Sequence, residues 1–315
     1  MSIIWPESHL PVTVKELEYI RSRVDFGFVQ MLKKLKLPSD LRPLLNDLYL
    51  PLSAWLAGQC RTDHPQLVGI NGSQGSGKST LCHLLKYLLE AGFGLKSCVL
   101  SIDDLYLTYA ERQKLAEDIH PLLATRGVPG THDVCLGRQV FDRLANAAEN
   151  SMTPIPRFNK ASDDRSPETD WDRFCGRPDL ILFEGWCVGA RPQPPQALEQ
   201  PVNQLEEQED PSGLWRSYVN QQLAGSYQDI FGPIDLLLML KVPGWQQVYQ
   251  WRSKQEQQLI ASNPIGTRTM DDQELLRFIM HYERLTRHQL LEMPGRADLV
   301  MQLDTTQRID SLKLR

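Results

Sequence analysis

The chain of 315 residues carries 34 Lys and Arg against 39 Asp and Glu, a formal net charge of −5. That length can bury a large core, in one big domain or two small ones. The acidic balance gives no basic field for nucleic acid, while a local basic pocket for a small anion stays compatible with it. There is no run of 18 apolar residues and no charged leader, so neither a membrane span nor a signal peptide is expected, and the cytoplasm is the expected compartment. Six cysteines (Cys60, Cys82, Cys98, Cys135, Cys175 and Cys187) show no C-x-x-C spacing, which speaks against a zinc site or disulfide framework and for a reducing compartment.

Residues 1–65 read as a helical extension packed on the domain that follows. Val14, Leu17, Ile20 and Val24, then Phe28, Met31, Leu32 and Leu35, recur at helical spacing. Ser39-Asp40 is a cap signal ahead of Leu41, Leu44, Leu45 and Leu48, and Pro51 is expected to end or kink that helix before Trp55.

The main domain, 66–315, opens on the apolar run Leu67-Val68-Gly69-Ile70, which reads as a buried parallel strand. Gly72-Ser73-Gln74-Gly75-Ser76-Gly77-Lys78-Ser79 follows, the spelling G-x-x-x-x-G-K-S of a phosphate-binding loop. Glycines let the backbone N–H groups converge on phosphate oxygens, and the helix start beyond them favours an anion. Lys78 can reach the outer phosphates, and the Ser79 hydroxyl is placed to ligate Mg²⁺. Thr80, next in line, completes the candidate nucleotide-binding set. Leu81, Leu84, Leu85, Leu88 and Leu89 then mark one helix face.

Further apolar runs at 98–102, 180–183, 235–240 and 298–303 alternate with helical patterns. Together they predict an α/β fold of the P-loop NTPase kind, a parallel five-stranded sheet with helices on both faces. Ligands in such sheets lie beyond the carboxyl ends of the strands. The second strand runs into Asp103-Asp104-Leu105-Tyr106, where a carboxylate can serve as base, Mg²⁺ ligand or helix cap. Adjacent side chains leaving a strand point to opposite sides, so Asp103 and Asp104 are not expected to share one job. The third strand ends in Glu184-Gly185-Trp186, an acidic position suited to hold Mg²⁺ or its waters.

Two polar stretches lie between those strands. Arg126-Gly127-Val128-Pro129-Gly130-Thr131-His132-Asp133 mixes turn formers with a cation, an imidazole and a carboxylate. The segment from Pro156 to Arg165 holds Arg157, Lys160 and Arg165 and suggests an anion site, or else a solvated basic loop. Residues 192–213 are proline-rich, then acidic, and read as an exposed connection. Trp215 to Phe231 reads as helical. Residues 245–290 form a helix–loop–helix carrying Arg252 and Arg268, a candidate lid whose arginines can neutralise charge on a transferring phosphoryl group.

With these motifs in order, the chain from about Gln66 onward resembles P-loop small-molecule kinases of the D-glycerate 3-kinase type, related to uridine kinase, phosphoribulokinase and pantothenate kinase. The resemblance rests on the loop at 72–79, Ser101 to Leu107, Arg126-Gly127, Gly130 to Asp133, Pro156 to Lys160, Ile181 to Trp186 and Val248 to Arg252. It implies that Asp103 is the catalytic base, acting with Lys78 and the lid arginine Arg252, and that Glu184 lies near the metal beside Ser79. It implies that Arg126, His132, Asp133, Arg157 and Lys160 line the acceptor pocket. Leu105 replaces the family's usual aromatic. The implied reaction is ATP- and Mg²⁺-dependent phosphorylation of a small hydroxy acid, with D-glycerate as the best single expectation. The rival readings are a kinase of the group with another acceptor, such as a nucleoside or another sugar acid, and an NTP-hydrolysing switch. Asn159-Lys160-Ala161-Ser162 lacks the aspartate of the N-K-x-D motif usual in guanine-nucleotide switches.

Overall fold

A computed structural model describes residues 5, 6, 9–262 and 272–315, those from 255 to 262 by backbone alone. Helix α1 (Val14–Lys34) starts at Thr13, whose hydroxyl and the Glu16 carboxylate satisfy each other's backbone N–H groups in a capping box. A short 3₁₀ turn (Ser39–Leu41) and a wide π-type turn (Leu45–Tyr49) lead into α2 (Leu50–Gln59). The helical path runs on from the π-type turn into α2, and Pro51 falls in the first turn of α2, so the irregularity expected at this proline lies directly before it.

Beyond α2 come β1 (Gln66–Gly72), α3 (Lys78–Phe93), β2 (Ser97–Ser101), α4 (Tyr109–Asp118) and α5 (Val134–Ala145). Two short antiparallel pairs interrupt the pattern: β3 (Met152–Ile155) with β6 (Asp172–Cys175), and inside them β4 (Phe158–Asn159) with β5 (Asp164–Arg165). The chain continues through β7 (Leu180–Gly185), α6 (Gln204–Glu209), α7 (Leu214–Ala224), α8 (Gln228–Phe231) and β8 (Leu236–Lys241). It ends with α9 (Trp245–Ser262), α10 (Asp272–Glu292), β9 (Leu299–Leu303) and β10 (Ile309–Leu314).

The main sheet has the order β10-β9-β8-β1-β7-β2. The five strands from β9 to β2 are parallel, as expected, and β10 adds a sixth, antiparallel to β9. The extra strand carries no continuous apolar run because it is a half-exposed edge strand closed by a hairpin. Alternating side chains feed two cores. Val68, Ile70, Leu180 and Leu182 face α1, α2 and α3, whereas Leu67, Ile181 and Phe183 face α5, α8 and α10. The N-terminal helices thus share one hydrophobic cluster with the sheet: Val24 and Phe28 are fully buried among the α3 leucines. No helix among the described residues is long and apolar enough to cross a membrane.

The acidic stretch expected to be solvated is instead partly internal. Glu206 and Asp210 have no exposed surface. Glu206 accepts two hydrogen bonds from Arg284 of α10, at 2.8 and 2.6 Å, and Asp210 pairs with Arg216 at 2.9 Å. Asp210 also accepts the backbone N–H of Trp215 at 2.9 Å. Composition misleads here because the partner of Glu206 lies 78 residues away in the chain. Removing one member of a buried pair strands the other charge in a poorly solvated site, at about 3–5 kcal/mol. Glu206→Ala is therefore expected to lower the unfolding free energy measured by urea titration by about that much, while Glu207→Ala at the neighbouring exposed position leaves it unchanged.

Candidate active site

The parallel register brings three strand ends level. Ile70 of β1 and Ser101 of β2 both lie beside Glu184 of β7. From that line β1 passes through the glycine loop into α3. Gly75 and Gly77 hold φ of 77° and 91°, the left-handed region that favours glycine. Gly72 is required for space: a Cβ there would stand 2.6 Å from Ser76 Oγ and 3.0 Å from Leu240 Cβ. Lys78 Nζ arches back to donate to the Ser73 carbonyl at 3.1 Å, and Ser79 Oγ donates to Glu184 Oε1 at 2.7 Å.

Over this loop opens a cleft of about 570 Å³. Its wall holds the cations Lys78, Arg126, Arg157, Lys160 and Arg252 against the carboxylates Asp103, Asp104 and Glu184, so an acidic chain becomes locally positive where an anion would sit. Gln74, Gly75, Lys78 and Ser79 of the loop line the cleft, while Ser73 and Ser76 are buried behind it and Thr80 stands outside the lining.

The two aspartates of the β2 end do different jobs. Asp103 Oδ1 accepts from the Tyr106 hydroxyl at 2.8 Å, and Oδ2 from Lys160 Nζ at 2.7 Å. Burial alone would raise its pKa. Lys160, Tyr106 and Lys78 outweigh that and bring it down to about 2. Asp104 serves as an anchor instead, accepting the Phe158 backbone N–H at 3.0 Å and Arg157 Nη1 at 2.7 Å. Asp172 takes the other edge of the same guanidinium at 2.5 and 2.9 Å. Arg126 is likewise held by Asp163, which also pairs with the fully buried Arg112 at 2.7 Å.

The tertiary contacts overturn part of the expected acceptor set. His132 and Asp133 do not line the cleft. Asp133 accepts the Leu136 N–H at 2.9 Å as the cap of α5 and pairs with Arg165 at 3.1 Å. His132 is 5% exposed, stacked behind Tyr106 at 4.6 Å between ring centroids, and its Nδ1 meets the Tyr227 hydroxyl at 2.5 Å. Desolvation holds its pKa at about 3, so it is a neutral spacer with no charge for an anion. Arg268 lies outside the described residues.

Known proteins share this fold and part of this sequence. No family model matches the chain. It is 36% identical over 227 residues to the uncharacterized kinase mug58 of Schizosaccharomyces pombe, covering 69% of this chain and 78% of that one. It is 30% identical over 269 residues to the chloroplastic D-glycerate 3-kinase of Arabidopsis thaliana, covering 80% of this chain and 56% of the relative. The solved D-glycerate 3-kinase of Cryptococcus neoformans superposes with a TM-score of 0.67 at 25% identity, covering 85% of this chain and 96% of that one. The chain belongs to the P-loop small-molecule kinases of the D-glycerate 3-kinase group. It is an ATP-dependent phosphotransferase with an alcohol group as acceptor.

Four aromatic residues of this kinase's cleft were not assigned a role from sequence: Tyr106, Trp186, Phe278 and Tyr282. Tyr282 donates to the Arg126 carbonyl at 3.0 Å, and the Trp186 indole to the Gly127 carbonyl at 2.9 Å. They clasp a turn that only glycine fits, since Gly127 has φ of 130° and a Cβ there would lie 2.1 Å from the Tyr282 hydroxyl. Tyr282 repeats with Leu275 and Ile279 at helical spacing, a pattern that marks a buried face without distinguishing core from cleft.

His132 and His281, with pKa values held near 3 and 4 by burial, ionise near 6.5 once exposed. Between those values the unfolded chain binds more protons than the folded one. Their contribution is therefore complete above pH 6.5 and lost as pH falls through about 4 for His281 and about 3 for His132. Unfolding free energy measured against pH should decline across that window, and His132→Phe, which keeps a ring against Tyr106, should flatten the decline.

Proposed function

We propose that this kinase phosphorylates D-glycerate to 3-phosphoglycerate, with ATP as donor and Mg²⁺ as the accompanying ion. The observation that carries the reading is the placement of Asp103 and the phosphate loop on one cleft whose wall also carries Arg126, Arg157, Lys160 and Arg252. A cleft of about 570 Å³ has room for a triphosphate tail and a three-carbon acid. The two similar proteins named as D-glycerate 3-kinases support the acceptor assignment.

Loop N–H groups and Lys78 hold the β- and γ-phosphates. Ser79 Oγ and Glu184, 2.7 Å apart, are the hard-oxygen pair that would hold Mg²⁺. When bound, the ion offsets charge on the phosphates. Asp103 orients the acceptor hydroxyl and takes its proton as the oxygen attacks the γ-phosphorus in line with the departing ADP. Lys160 binds the acceptor's carboxylate. Arg126 and Arg157 stay with their aspartates and shape the positive wall. Arg252, on the same wall, neutralises the moving phosphoryl group, and closure over the cleft excludes water. Six free thiols support a reducing compartment, and we assign the reaction to the cytoplasm.

ATP consumption measured with and without D-glycerate tests this reading. Strong stimulation is expected; equal rates mean a hydrolase without an acceptor. Asp103→Asn is expected to abolish transfer, by about 10²–10⁴-fold for loss of a general base, while ATP affinity measured by calorimetry stays near wild type. Near-wild-type turnover in that variant excludes Asp103 as the base.

A further inference from the structure

The sequence reading treats Asp103 as a base and Lys160 as a substrate ligand, yet the structure joins them to each other. Both carboxylate oxygens are engaged, Oδ1 by Tyr106 and Oδ2 by Lys160. The two partners differ in how firmly they are held. Tyr106 is 4% exposed, stacked on His132 and set edge-on to Phe158 with 5.2 Å between ring centroids. Lys160 stands in the turn between the two-residue strands β4 and β5, with 61% of its side chain exposed. We infer that Lys160 is a latch on Asp103, released when an acceptor's carboxylate draws its ammonium away, and that this exchange restricts the kinase to anionic hydroxy acids. The inference rests on the proposed roles of Asp103 and of a hydroxy acid acceptor.

Magnitudes favour an exchange. An exposed Lys–carboxylate pair contributes about 0–1 kcal/mol, so a second carboxylate can compete for the ammonium on nearly equal terms. Water, glycerol or a nucleoside brings no charge to replace the lost partner and leaves the latch closed. Arg126 and Arg157 cannot make the same move cheaply, because Asp163 holds the first and Asp104 with Asp172 the second. While Lys160 sits on Oδ2, the carboxylate has little affinity for a proton, its pKa being down near 2. With the ammonium turned to the substrate, Oδ2 is open to the acceptor hydroxyl. The acceptor oxygen then forms its bond to the γ-phosphorus, and the phosphorus–oxygen bond to ADP breaks with its electron pair on ADP. The hydroxyl proton passes to Asp103 and leaves to solvent when the product departs and Lys160 returns. In the absence of an acid acceptor the closed latch also restrains transfer to water.

The test compares wild type with Lys160→Met, an exposed position where folding should be unaffected, on D-glycerate and on glycerol, the same skeleton without the carboxylate. For D-glycerate, KM is expected to rise about 10- to 100-fold, the loss of one charge-assisted hydrogen bond. For glycerol, kcat/KM should rise, and so should acceptor-independent ATP hydrolysis. A purely structural role lowers both acceptors in parallel, and that result, or unchanged discrimination, overturns the exchange. The acid limb of kcat/KM should also move to higher pH in the variant, since Asp103 loses its nearest cation. Lys78, Asp104, Tyr106, His132, Cys187 and Tyr282, the other titratable groups acting on or beside Asp103 among the described residues, remain in place. A wild type that leaves D-glycerate unphosphorylated overturns the acceptor assignment, and the exchange with it, before any variant is made.

Discussion

The level ends of three parallel strands are the constraint on which the rest of this molecule depends. In register, β1, β7 and β2 deliver the glycine loop, Glu184 and the Asp103 turn to a single gap. Backbone hydrogen bonds fix that alignment, so no side chain has to create it. A shift of one residue in any of the three would turn every buried side chain of that strand to the opposite core. The hydrophobic alternation that fills two cores therefore also holds the chemistry in place.

Around that gap, the charged groups divide into those that are locked and those that can move. Arg112, Arg126 and Arg157 are tied down by Asp163, Asp104 and Asp172, so the positive wall is built from paired ions whose geometry is set in advance. Such a wall attracts an anion without having to order itself on binding. Lys160 differs from these three in both exposure and partner. In the exchange proposed above, its bond to Asp103 couples recognition of the acceptor to the state of the base.

Behind the wall, aromatic and ionic braces connect the cleft to α10. Asn71 Nδ2 at the end of β1 shares its two N–H groups among the carbonyls of Trp186 and Val188 and the Gln289 Oε1 of α10, all within 2.9 Å. Tyr282 of the same helix meets the Arg126 turn, and Arg284 enters the buried acidic cluster of α6. One helix thus touches the strand that carries the phosphate loop, the Arg126 turn and the outer acidic segment. That explains why a stretch resembling a linker in composition contains fully buried charges.

Sequence by itself determined what depends on neighbours along the chain. The strand–glycine loop–helix unit, the five parallel strands and the acidic strand ends were all legible, because periodicity and a fixed eight-residue spacing express local backbone requirements. Tertiary structure decided what depends on partners far away in the chain. It separated the job of Asp103 from that of Asp104, withdrew His132 and Asp133 from the cleft, and buried Glu206 against Arg284. It also brought Tyr106, Trp186 and Tyr282 to the cleft. A carboxylate or an imidazole is spelled the same whether it faces a substrate, a helix end or an arginine. Its chemistry is set by the groups within hydrogen-bonding reach, and those are assembled only when the chain folds.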